Sequence, residues 1–445
     1  MEKYYHSVTL EPDYCNGCTH CLDGCPTEAI RVIDGKADII NELCIDCGEC
    51  LKVCPFHAKG AVSDSLNDID DYKYTVALPA ISLYGQFSSE YNLNKMLNTF
   101  LHLGFDDVYD LGFYAEILSD YQKDMIENNE TDLYISTYCP AITRLIQIKY
   151  PSLIENIIRL ESPMEVAARI IKKQLIKEKN LKKEDIGIFY ISQCPAKNTS
   201  IKAPLGLDES YVDKCIAIDK VYSKIVKLYD EIEEKKDILK TSAKGFNWGR
   251  VGGQSFSMGI DNYIAVDGIN EVIRVLDEIE LGKLKNIDFF EGYACVTGCV
   301  GGPLNVENSF IGKNNIRNLS QICKKKSNNI DLSKYPKDTI EWDKEIKPLD
   351  VMKLDDNFQK ALKKMAEIEE IFQKLPQINC GVCGAPTCHA FAEDIVKGKA
   401  TLDECIVRRY RQKEENKNES KWINYRLSIW IINKYWCRRK NNRCL

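Results

Sequence analysis

Cysteine is the residue type on which the chemistry of this chain turns. The stretches CNGCTHCLDGCP (15–26) and CIDCGECLKVCP (44–55) repeat one spacing, C-x2-C-x2-C-x3-C-P. A [4Fe-4S] cube needs four soft thiolates in a tight shell. Two-residue gaps let one loop wrap three corners, and the fourth cysteine of each run crosses to the other cube. Cys15, Cys18, Cys21 and Cys54 are thus expected to hold one cube, and Cys44, Cys47, Cys50 and Cys25 a second, with Pro26 and Pro55 turning the chain away. Zinc needs four cysteines, but not a duplicated eight with a proline after the last of each. A third group, CGVCGAPTCHAFAEDIVKGKATLDEC (380–405), spaces Cys380, Cys383, Cys388 and Cys405 to suit one further cube, with zinc as the alternative.

Four more cysteines stand where strands stop. After the polar SDSLNDIDDYK, apolar strands alternate with amphipathic helices, the pattern of an α/β sheet with crossover connections. YTVALPAIS reads as a strand, NLNKMLNTFLHLGF as a helix, VYDLGF as a strand and YAEILSDYQKDMIENN as a helix. TDLYIST is a strand ending at Cys139, EDIGIFYISQ a strand ending at Cys194, and KNIDFFEGYA a strand ending before Cys295, with Cys299 four residues on. Ligands in open α/β sheets bind beyond the carboxyl ends of strands, so these thiols predict one shared four-cysteine site. The alternative is four separate buried core cysteines.

The segments TYCPAI, SQCPAKNTS and EGYACVTGCVGGP resemble, in order and context, the three signature segments of the catalytic domain of [FeFe] hydrogenases, from about Val76 to Asn308. VALPAI matches the family's Ala-Pro strand end through Pro79, and LESPMEVAARIIK its Ser-Pro helix start through Ser162 and Pro163. The resemblance implies two lobes of twisted sheet flanked by helices, with an H-cluster between them. In that cofactor a [4Fe-4S] cube is bridged through a cysteine sulfur to a two-iron unit carrying CO, cyanide and a dithiolate. It further implies that Cys139, Cys194, Cys295 and Cys299 hold the cube, that Cys299 is the bridge, and that Lys197 donates to an iron-bound cyanide. A charged hydrogen bond is the stronger kind in a low-dielectric site. A solvated surface lysine is the plainer reading of Lys197. Residues 1–65 resemble two-cluster ferredoxins, and the third cysteine group resembles the small iron-sulfur domain of corrinoid iron-sulfur proteins and sensory hydrogenases.

The pattern also departs from the family. Standard members carry two adjacent cysteines in the first segment, the first of which passes protons; here that position is Tyr138. A phenol, with an unperturbed pKa of about 10, is a poorer relay near neutrality than a thiol at about 8.5. Ser192 and Tyr293 stand in the places of methionines, Tyr121 and Gln122 in those of carboxylates, and GGPLN replaces the usual GGGQ. Such a pocket looks like that of the family's sensory branch, in which hydrogen is detected and turned over slowly.

The expected architecture is an α/β catalytic domain (74–345) following a ferredoxin-like α+β domain (1–65). A helical linker (346–376), a small helical iron-sulfur domain (377–410) and a tail (411–445) that is truncated or out of frame complete it. The tail holds Cys437 and Cys444, which match no ligand spacing. Cys215 is expected in a core strand and Cys323 in a helix. His20, His57 and His389, beside cluster cysteines, read as surface positions or as tuners of cluster potential. The glycine-rich FNWGRVGGQSFSMG lacks the context of a phosphate cradle.

The 445-residue length allows a sizeable core, and the net charge of −6 disfavours a nucleic-acid binder. Neither an apolar leader nor a membrane-length run is present, so a cytoplasmic setting is expected, where thiols bind metal rather than pair, and the hydrogenase resemblance implies an anaerobic one. The expected activity is reversible 2 H+ + 2 e− to H2, slow and regulatory. Expected partners are small redox proteins such as ferredoxin, hydrogenase maturation proteins and a signalling partner, with no nucleic acid or membrane. Two alternatives stand: an electron carrier whose middle site holds a plain cube, and a module that senses hydrogen without turnover.

Overall fold

In the computed structural model of the chain, residues 5–128, 131–326 and 328–416 are described. The expectations for Cys437, Cys444 and the rest of the tail from residue 417 lie outside them. Two compact units are present, Met1–Met352 and Lys353–Leu445.

The first unit begins with short strands and loops around cysteines. Strands β1 (Val8–Leu10), β2 (Ile30–Ile33), β3 (Lys36–Ile39) and β4 (Lys59–Ala61) form two antiparallel ribbons, β1 with β4 and β2 with β3. Each cysteine run closes on one turn of helix, His20–Asp23 or Glu49–Lys52. Thr19 and Gly48 precede these turns with φ of 66° and 74°, left-handed backbone that tightens the loop around its thiols.

Beyond them lie β5 (Tyr74–Pro79), β6 (Asp107–Val108), β7 (Tyr134–Ile135), β8 (Ile186–Ser192), β9 (Lys214–Ala217), β10 (Tyr263–Asp267) and β11 (Phe289–Tyr293). They make two parallel sheets, ordered β6-β5-β8-β9 and β10-β11-β7. The central strands β5, β8 and β11 are apolar and almost wholly buried, as parallel strands covered on both faces must be. One large core surrounds the first sheet and a smaller one the second. Cys215 is buried in β9, and Cys323 is the C-cap of the helix Ser309–Ile322 rather than a residue within it.

VYDLGF is not a strand throughout. Only Asp107 and Val108 pair, because the Asp110 side chain accepts from Gly112 N and starts the helix Leu111–Glu127. The glycine-rich FNWGRVGGQSFSMG folds as two short helices, Ala243–Asn247 and Gly253–Met258.

The second unit contains the helices Phe358–Gln373, Cys388–Val396 and Ile406–Asn416 around a small core that includes Cys388 and Cys405. No helix of the described residues is long and apolar enough to cross a membrane.

Candidate functional site

Both sheets end at the same place. From β8 the chain reaches Cys194, N-cap of the helix Pro195–Lys202, and from β7 it reaches Cys139, N-cap of Pro140–Lys149. Proline at the first helical position lacks only an N–H that would be unsatisfied there and presets φ, so Cys-Pro is a strand-to-helix hinge. After β11, Cys295 is followed by Thr297 and Gly298, with φ of 73° and 89°. A Cβ on Gly298 would fall 2.5 Å from Val251 N, so this turn needs glycine and brings Cys299 back to open a 3-10 turn.

These four cysteines face one another: each of Cys139, Cys295 and Cys299 acts on the charge of Cys194. Burial pushes the Cys194 thiol well above its ordinary value and Cys299 up to about 12. Such thiols ionise only when metal replaces their protons.

Lys197, one turn into the Cys194 helix, is 2% exposed, which removes the surface reading. Burial lowers its pKa, opposed by Cys299, Cys194, Cys139 and Glu161, and its Nζ lies 4.6 Å from the centre of the Tyr138 ring. Tyr138 is 4% exposed, edge-on to Trp248, and lies beside Cys299. Burial, then Cys299 and the tyrosines 190 and 293, hold its phenol well above the usual value. Pro79 ends β5 in the core, and Ser162 N-caps the helix Pro163–Lys179. Ser192 is engaged with the Cys194 backbone, donating to Cys194 O and accepting from Cys194 N. Tyr121 lies elsewhere, its hydroxyl donating to Glu341, while Gln122 is buried.

A buried hydrogen-bond chain runs beside Tyr138. Ser136 Oγ accepts from Tyr138 N and donates to Gln254 Oε1 at 2.8 Å. Gln254 Nε2 donates to the Tyr293 hydroxyl at 3.0 Å, which donates to Glu291 Oε1 at 2.9 Å. Glu291 is wholly buried and also accepts Gln254 N, Ser255 N and Ser255 Oγ. Burial raises its pKa despite those donors. Sequence reasoning missed Glu291 and Gln254. Their one signal was an acidic residue inside an otherwise apolar strand, FFEGY.

Twelve of the remaining cysteines line three small cavities. Cys15, Cys18, Cys21 and Cys54 share one, and Cys25, Cys44, Cys47 and Cys50 another. Cys380, Cys383, Cys388 and Cys405 share a third in the second unit. Among the described residues, only His6, Cys44 and Asp46 bring three metal-ligand atoms within 4.8 Å of one another. No quartet is therefore drawn in as around zinc, whose thiolates at about 2.3 Å from the metal lie about 4 Å apart. Wide quartets around a cavity fit a cube. Asp46 of the compact trio is committed to Ser7 N, Val8 N and Thr199 Oγ1. Burial pushes Cys21 up to about 11 and Cys50 up to about 12, one thiol from each quartet, and buried Lys59 opposes the rise in both. His20, His57 and His389 are exposed.

The inner quartet abuts the central site. A Cβ on Gly48 would meet Pro303 and Pro195, and Cys47 packs in the same core as Cys139 and Cys194. Lys52 lies beside Cys295, and that sulfur is the largest influence raising the lysine's pKa against burial.

The family described as iron only hydrogenase large subunit, C-terminal domain, matches residues 73–253 and 222–303. A 4Fe-4S dicluster domain matches 7–55, and an Fe-S cluster family matches 375–407. The NADP-reducing hydrogenase subunit HndD of Solidesulfovibrio fructosivorans is 22% identical over 233 residues, 44% of this chain and 40% of that protein. The corrinoid/iron-sulfur protein large subunit of Moorella thermoacetica is 58% identical over 36 residues, 8% of each. The chain thus spans less than half the length of both curated relatives. A solved structure of a variant of the [FeFe]-hydrogenase HydA1 from Chlamydomonas reinhardtii is 14% identical with a TM-score of 0.45, covering 56% of this chain and 87% of that one.

Proposed function

Because this chain belongs to the iron only hydrogenase large-subunit family, we propose that it interconverts protons, electrons and hydrogen slowly, in a sensory or regulatory role. The observation that carries the reading is the convergence of Cys139, Cys194, Cys295 and Cys299 with buried Lys197 beyond the ends of two parallel sheets. The cysteines would hold a [4Fe-4S] cube, and Cys299 would bridge it to the two-iron unit, which supplies hydrogen-binding chemistry when bound. Lys197 offers a buried ammonium to an anionic ligand on that unit, and Pro79, Ser162, Ser192 and Tyr293 shape the wall.

The slow rate follows from Tyr138. Its phenol stands where a proton carrier is needed, yet it keeps its proton throughout the physiological range. Electrons enter through the two quartets of the N-terminal module from a small redox protein such as ferredoxin. The sensory role also takes support from the succession of ferredoxin-like, hydrogenase-like and small iron-sulfur modules. A cytoplasmic setting, maturation proteins that install the two-iron unit, and a signalling partner complete the proposal.

The test is infrared spectroscopy of matured protein together with hydrogen turnover. Iron-bound CO and cyanide bands with turnover far below that of fast family members support the reading. Absence of those bands leaves a plain cube and an electron carrier, whereas bands without any turnover leave a sensing module.

A further inference from the structure

Behind Lys197 lies a partly open cavity of about 50 Å³, outside the cysteine network. Its lining includes Thr137, Glu161, Ser162, Lys197, Ser200 and Trp342. The outer wall is well fixed: Gly206 O accepts Asp343 N and Lys344 N, and a Cβ on Gly206 would strike the Trp342 indole at 2.2 Å. Glu161 holds the inner wall with a buried Oε1 that has no hydrogen bond; Arg169 Nη2 lies 3.8 Å from it. Its neighbour Glu165 is committed elsewhere, to Ser210 Oγ and Tyr211 N.

We propose that Glu161 is a proton-relay residue, carrying protons between water in this cavity and the Lys197 wall of the central site. The route is separate from Tyr138, and it rests on the hydrogen chemistry proposed above. Each passage moves one proton and no electron: an O–H bond forms at a Glu161 carboxylate oxygen as a hydronium ion in the cavity breaks its own and becomes water, and the acid's O–H bond then breaks as its proton forms a new O–H bond to a water molecule on the Lys197 side. The groups facing this carboxyl favour the task. Burial, then Glu165, raises its pKa to about 8, with Asp343 adding to the rise and Arg169 and Lys197 opposing it. Glu161 is thus an acid at pH 7 whose conjugate base is reached within about one pH unit, the range in which a relay works best.

The experiment compares Glu161→Gln and Glu161→Asp with the unaltered, fully matured protein. Hydrogen evolution at pH 7 should fall about tenfold in the glutamine variant and recover in part with aspartate. The limb of the pH–rate profile near 8 should vanish with glutamine. A readout independent of turnover is the carboxyl C=O absorption in infrared difference spectra, which should titrate near 8 and be missing from Glu161→Gln. Full cube content with unchanged rate and pH profile in Glu161→Gln would overturn the relay, as would a carboxyl titrating in the ordinary glutamate range. Lack of iron-bound CO and cyanide bands in the unaltered protein defeats the hydrogen reading and the relay with it, and is recognisable because no substitution is needed to see it.

Discussion

The Tyr138 phenol is buried against Trp248, Tyr293 and the Lys197 ammonium, beside Cys299. A group held so far above its usual pKa neither accepts nor gives a proton at neutral pH. Tyr138→Cys places there a thiol that ionises about 1.5 units lower even when unperturbed. Hydrogen evolution should rise by about 10- to 100-fold, a gain of the size general acid catalysis supplies. Tyr138→Phe should stay within about twofold. Collapse of turnover in the phenylalanine variant, measured at equal two-iron content, would show that the phenol itself carries protons. Lys52 makes a different kind of claim. An ammonium beside the Cys295 sulfur favours the more negative, reduced cube, so Lys52→Met should lower the potential of the central cube. A shift on the order of tens of mV is expected from losing one nearby charge, read by potentiometric EPR. An unchanged potential would sink it.

Elements reach the site because a few buried side chains join them. Asp46, 1% exposed, accepts Ser7 N at 2.9 Å and Val8 N at 3.0 Å at the start of β1, and Thr199 Oγ1 at 2.7 Å on the helix that carries Lys197. One carboxylate thus ties the cysteine loop of the inner quartet to the helix that Cys194 begins. Asp46→Ala strands two backbone donors and a hydroxyl, and should cost about 2–4 kcal/mol, seen as a lower unfolding temperature at unchanged cube content. A loss within about 0.5 kcal/mol would mean that water takes over the bonds. Sequence pattern sufficed for β5, β8 and β11, since each is a mainly apolar run, with Glu291 as the one charge in β11, stopped by Pro79, Cys194 or the Cys295 loop. It misjudged VYDLGF because apolar residues after Asp110 suit a helix as well as a strand, and the capping bond decides between them. The Glu291 chain was out of reach for another reason. Gln254 and Glu291 lie 37 residues apart and meet only when the helix Gly253–Met258 lays its first N–H groups on the carboxylate. Local spacing finds thiol shells because a cube's corners come from one loop, whereas a relay assembled from several elements leaves no spacing to read.

At the scale of the Met1–Met352 unit, the quartets form a series. Cys25 lies on the first loop but lines the second cavity, and Cys54 does the reverse, so the two N-terminal sites are interlocked and neither forms without the other's loop. The second cavity then touches the central site through Gly48, Cys47 and Lys52. An electron from outside therefore has an outer stop, an inner stop and a destination. The proposed proton route does not use that path, for the Glu161 cavity is lined by Lys197, whereas Lys52 acts on Cys295. This separation can be tested because two assays divide along it. Hydrogen evolution from a reduced donor needs net electron entry, whereas hydrogen–deuterium exchange needs only the central site and a proton route. Cys18→Ala removes a corner of the outer cube, and should slow donor-driven evolution about tenfold or more while leaving exchange within about twofold. Glu161→Gln should slow both. If Cys18→Ala lowers exchange as much as evolution, with the central CO and cyanide bands intact, the outer quartet does more than deliver electrons and the series arrangement is wrong.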